Sequence, residues 1–159
     1  HVWEYCDQTA WAIGNIQNNS LPGAGANWGW TNGPLTAGTY QRILYAGAGQ
    51  NDITKGVEVG KITIVIAGNL VNVKYEVTDD FYLGEVHLWV GNTPLPAVTR
   101  GKTTAYSSAP GGFPYNDYFD FDGGEFVKVW ESGPIVMSGD IYVAAHAVVW
   151  LPCPEMPAQ

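Results

Sequence analysis

A chain of 159 residues is long enough for one domain with a real core, and 46 % apolar against 14 % charged residues excludes a disordered chain. The net charge of −8 excludes nucleic acid as a partner, because no basic surface is available to neutralise a row of phosphates. No run is long and apolar enough to span a bilayer, so no membrane insertion is expected.

The chain begins at His1 without a Met, is poor in Lys and rich in Asn, Gly, Thr and Trp, and reads as a processed, exported chain of extracellular setting. Residues 1–14 alternate as a first strand, with Thr9, Trp11 and Ile13 on one face and the small Ala10 and Ala12 on the other. Residues 15–27 are rich in Asn, Gly and Pro and read as a loop containing one glycosylation sequon, Asn18-Asn19-Ser20. In Trp28-Gly29-Trp30-Thr31-Asn32-Gly33-Pro34-Leu35, Asn32-Gly33 is a turn signal. A strand is expected over Thr39 to Ala46, then a Gly-rich loop in which Asp52 caps a turn. Val57 to Ala67 and Val71 to Val77, joined at Gly68-Asn69, form the clearest hairpin.

Asp79-Asp80 is an acidic corner, Phe81 to Val90 is a strand, and Gly91 to Pro96 ends it. Residues 97–116 read as a long loop with one short strand at Thr103 to Tyr106, and residues 117–125 as an acidic segment. Phe126 to Trp130 is a further strand. The last runs from Gly139 to Leu151, apolar or small on both faces, as a strand buried on both sides requires. No window carries apolar residues at helical spacing, and there is no internal repeat. The expected fold is all-β: a single jelly-roll-like β-sandwich of about eight strands over 1–151, followed by an extended proline-rich tail, 152–159.

The two cysteines, Cys6 and Cys153, allow one intramolecular pairing, which requires the first and last strands to be neighbours. Closing so large a loop is worth roughly 4–5 kcal/mol in chain-entropy terms. Two free thiols in a reducing compartment are the alternative.

A set of motifs stands in order along the chain: Thr9-Ala10-Trp11-Ala12, the Trp28 to Leu35 stretch, Leu44-Tyr45-Ala46-Gly47-Ala48-Gly49-Gln50, Lys55-Gly56, His87 to Pro96, Phe113-Pro114-Tyr115 and Ile141 to Val149. Over nearly its whole length the chain resembles the all-β repeat units of secreted bacterial adhesin-like and surface-matrix proteins. The resemblance implies an extracellular module with an adhesive or structural role. It implies no catalytic residue and no ligand. The expected function is therefore non-enzymatic attachment or matrix building, with polymerisation by strand exchange between subunits. The apolar 1–13 stretch or the tail would be the donor. The expected partners are other copies of the chain or surface glycans.

A second class of function is a calcium-dependent, lectin-like carbohydrate-binding module. Asp117, Asp120, Asp122 and Glu125 lie within nine residues, with Gly123-Gly124 to fold the loop back, and calcium takes several such oxygens. A solvated acidic turn has the same composition. Trp28, Trp30, Trp89, Tyr115, Tyr118 and Phe119 include aromatics placed to stack on sugar rings, and the same residues would serve as core.

Glu85 and His87 share a strand face, and His146 approaches them if the two strands are neighbours. Such a set binds zinc or moves protons, while a single hydrogen-bonded core histidine is the commoner arrangement. A His at a mature N-terminus is also the copper-binding residue type of oxidative polysaccharide-cleaving enzymes, but Val2, Trp3 and the other motifs do not resemble that family.

Overall fold

The structure, a computed structural model, describes residues 4–153. His1, the possible copper ligand, and residues 154–159 of the proline-rich tail lie outside the described residues. Pro152 is not tail: it ends the last strand and is buried.

That last strand, β13 (Ile141–Pro152), is the axis of the fold. Its residues 141, 143, 145, 147, 149 and 151 enter the main core, while Ala144 and His146 face the other side, against a second apolar cluster. Each fully buried Val or Leu on such a strand contributes about 1.5–3 kcal/mol. Along one edge β13 pairs with β7 (Tyr82–Gly91). Along the other it pairs first with β3 (Trp30–Leu35) and then, from Trp11↔His146 to Tyr5↔Pro152, with β1 (Tyr5–Ala12). The first and last strands are thus neighbours, and Cys6 and Cys153 form a disulfide across them with Cα atoms 5.0 Å apart. The bridge points to an oxidising setting.

The sheet continues from β1 through β4 (Gly38–Ala46), β5 (Val57–Ala67) and β6 (Leu70–Val77), all antiparallel. Gly68, at φ 59°, makes the β5–β6 turn, where an L side chain would be strained. The edges are short: β10 (Tyr115–Tyr118) lies beside β7, and β11 (Val129–Glu131) and β12 (Ile135–Val136) lie beside β6. β2 (Ile16–Gln17) pairs with β3, and β8 (Ala97–Arg100) with β9 (Thr103–Tyr106) forms a separate hairpin.

This differs from the expected single eight-strand sandwich. Thirteen strands among the described residues form one eleven-stranded sheet, ordered β10-β7-β13-β1-β4-β5-β6-β11 along its main path, and the β8-β9 hairpin. The large sheet folds over on itself. Residues 127 and 128 nearly close it, since Leu83 N–H donates to the Val127 carbonyl and Val77 N–H to the Lys128 carbonyl. A single folded sheet leaves fewer open edges than two separate layers do.

Small side chains make the fold-over possible. Ala147, Ala10 and Ala46 stand in register on neighbouring strands and face the main core. Opposite them, the fully buried Tyr75 of β6 reaches across the core. Its hydroxyl donates to the backbone carbonyls of His87 at 3.3 Å and His146 at 3.2 Å, which meets the need of a buried phenol for a partner.

Two local expectations are corrected. Asn32-Gly33 does not turn the chain: β3 runs straight through it, because Asn32 is held by the Ile13 carbonyl and by Arg42. A Cβ at Gly33 would overlap the Tyr142 ring, so this glycine serves close approach to a neighbouring strand. The acidic segment also begins with a strand, β10, and the long 97–116 loop holds β8 as well as β9. Among the described residues the helical elements are short 3-10 turns, as the absence of helical periodicity predicts.

Candidate functional site

The face of β7, β13, β1 and β4 that points away from the main core is partly roofed by the loops around residues 18–29, 47–55 and 107–113. Strand register lays one row of side chains across it: Asn116, His87, His146, Trp11, Tyr45 and Glu58, each opposite the next on adjoining strands. His87 and His146 are therefore brought together, with ring centroids 5.4 Å apart, Tyr118 against one ring and Trp11 against the other. Glu85 Oε1 lies 3.0 Å from His87 Nε2. Both histidines are buried, and Nδ1 of each has no hydrogen-bond partner. Burial, and secondarily the neighbouring His87, lowers the pKa of His146 to about 3, so its imidazole is neutral at ordinary pH.

The loops are pinned by buried polar contacts. Asn18 Oδ1 accepts the Thr31 hydroxyl at 2.7 Å, and Asn18 N–H donates to the Gly29 carbonyl. Asn51 Oδ1 accepts the Gly29 N–H at 2.9 Å and ties the 47–55 loop beside Trp28. Gly29 must be glycine at φ 147°, since a Cβ there would lie 2.7 Å from the Trp11 ring. Asp52 caps its turn as expected, accepting from Thr54 N–H and from the Thr54 hydroxyl, and these bonds lower its pKa.

Two depressions of about 310 and 210 Å³ lie between the loops and the sheet, a third of about 150 Å³ lies on β1 and β13 alone, and Thr9 lines all three. Trp28 walls the two larger ones, and Gln8 lines the largest and the smallest. Gln50 and Lys55 line the largest, where Lys55 Nζ donates to Gln50 Oε1 at 2.9 Å, and His146 lines the second. The result is a branched trough of hydroxyl, amide and indole groups with a neutral imidazole along it.

The residues singled out from the sequence are dispersed over the fold. Trp28 lines the trough, half-buried and edge-on to Trp30 at 5.7 Å, whereas Trp30 itself is core. Trp89 is packed on the second apolar cluster and donates its indole N–H to the Thr93 carbonyl. Tyr115 and Phe119 pack against the main core, and Tyr118 is 61 % exposed at the β10 edge. The acidic residues do not converge. Asp117 accepts the Trp130 indole N–H and the Tyr118 N–H, Asp120 accepts the Gly123 N–H, and Asp122 and Glu125 face solvent. Among the described residues no three His, Cys, Asp or Glu side chains are grouped to hold a metal ion. Asn18, the expected glycosylation position, is fully buried under Thr31, so the folded domain has no room for a glycan there.

The sequence offers Thr9, Gln50 and Lys55 only as parts of the family-like motifs, not as site residues, and carries no signal at Gln8. No helix among the described residues is long and apolar enough to cross a membrane. Compared with protein-family models, curated proteins and solved structures, the chain finds no match.

Proposed function

We propose that this chain is a non-enzymatic, secreted attachment module that carries load between its two chain ends in an extracellular matrix or at a cell surface. One observation supports this above the others. β1 and β13 lie side by side, and the Cys6–Cys153 bridge joins them near the points where the chain enters and leaves the sheet. Tension applied at the ends passes through the covalent bridge and bypasses the 147-residue separation it spans. A domain so wired keeps its binding surface folded while it is pulled.

The same arrangement argues against lending the first strand to a neighbouring copy. β1 fills an interior place between β13 and β4, and the bridge holds it there. Strand exchange would have to vacate that place and open the bridge.

Single-molecule pulling through tags at the two ends tests the reading. The oxidised protein should release no length from within the bridge. The reduced protein should release about 500 Å, from roughly 3.4 Å for each residue in the 147-residue separation. Equal release in both states would defeat the load-bearing reading.

A further inference from the structure

We infer that the branched trough centred on Thr9 is a binding site for neutral polysaccharide, a chain of uncharged hexopyranose rings gripped without a metal ion. The inference deepens the attachment reading and rests on it for context, because it names what the module attaches to.

The chemistry of the lining supports this occupant. Sugar rings present hydroxyl pairs at their edges and C–H patches on their faces. Trp28 supplies an apolar wall shared by two depressions, and Trp30 and the pinned Gly29 backbone hold it in place. Thr9 and Gln50 supply hydroxyl and amide groups of the kind that pair with sugar hydroxyls, Gln8 offers its amide NH2 while its Oε1 accepts the Thr9 N–H, and Lys55 steadies the Gln50 amide by donating to its oxygen. His146 is 5 % exposed, lines the same trough, is neutral, and has an Nδ1 that no protein group satisfies. The three depressions meet at one residue, which suits a chain of rings better than a single small molecule.

Charge selects among glycans. The chain carries −8 overall and Asp7 lines the trough, so sulfated or uronic polymers are repelled at long range. Lys55 is the one cation among the residues that line the trough; its bond to Gln50 leaves its charge in place, and the Asp7 carboxylate offsets that charge within the trough. Asp117 and Asp120, the acidic-segment carboxylates with protein donors, are spent on Trp130 and on the Gly123 turn, and the segment contributes no residue to the trough. Recognition here is therefore independent of calcium.

The experiment is affinity electrophoresis of the oxidised protein through gels containing soluble glucan, galactan, mannan or xylan, with a sulfated polymer as comparison. Each gel is run with calcium and with chelator, followed by calorimetry with oligosaccharides of whichever polymer retards the protein. At least one neutral polymer should retard it equally in calcium and in chelator. Thr9→Arg should abolish retardation, because Thr9 is exposed and a long side chain there fills the junction without disturbing the core. Trp28→Ala should weaken binding roughly tenfold, the loss of one aromatic contact. Thr63→Arg, on β5 outside the trough, should leave binding unchanged. No retardation by any neutral polymer, retardation by the sulfated polymer alone, dependence on calcium, or binding that survives Thr9→Arg would each overturn the inference. None of these outcomes bears on the pulling measurement, so the two readings fail separately.

Discussion

Replacing His146 by Leu should flatten the acid limb of the stability profile. In the folded protein the imidazole is buried between Trp11 and His87 and titrates at about 3, against 6.5 in an unfolded chain. Between those two values the unfolded chain binds a proton that the folded chain refuses, so stability rises with pH across the window and is lost as pH falls through it. The loss begins near 6.5. It reaches about 2 kcal/mol at pH 5 and levels off near 5 kcal/mol below pH 3. Urea titrations at pH 7, 6, 5 and 4 for wild type and His146→Leu separate this contribution from that of the carboxylates, which both proteins share. The difference in unfolding free energy between them should shift in favour of the variant by about 2 kcal/mol from pH 7 to pH 5. In melting temperature that is a shift of roughly 4–8 °C. Parallel profiles for the two proteins over this range would refute the reasoning, since the imidazole would then be free to take a proton in the folded state.

Two further substitutions probe how the sheet folds over. Tyr75→Phe removes the hydroxyl that joins β6 to the carbonyls of His87 and His146, and should cost about 1–2 kcal/mol in urea unfolding with the fold intact by near-ultraviolet circular dichroism. Gly60→Ala should cost more than about 3 kcal/mol or prevent folding, because a Cβ there would overlap the Glu76 carbonyl oxygen on the adjoining strand; soluble yield and thermal melts report it.

What could be read in advance was whatever depends on alternation and on side chains buried on both faces. β13 stood out because apolar and small residues occupy both of its faces. β5 and β6 stood out because Ile62, Ile64 and Ile66 answer Tyr75, Val73 and Val71 across a Gly68-Asn69 turn. Two cysteines allow a single intramolecular pairing, so the partners of the bridge were legible although its formation was not. What escaped depends on partners distant in the chain. Asn32-Gly33 has the composition of a turn, but Arg42, Ile13 and Tyr142 hold it extended. β10 is an edge strand that buries little, so it carries no alternation to detect, and its Asp117 looked like a ligand although it serves Trp130. The trough is assembled from Gln8 and Thr9 on a strand, Trp28 on one loop and Gln50 on another. Nothing local marks residues that only the folded sheet brings together.

The position of β13 bears on how the protein is made. Its neighbours on both edges, β7 on one side and β1 and β3 on the other, come earlier in the chain, and each waits for residues 141–152 before it has a partner there. A ribosome-bound fragment lacking those residues holds the apolar faces of β1 and β7 without the strand that belongs between them. The β4-β5-β6 ladder can pair without it, but β1 and β7 take their places beside β13 only after translation has passed the keystone strand.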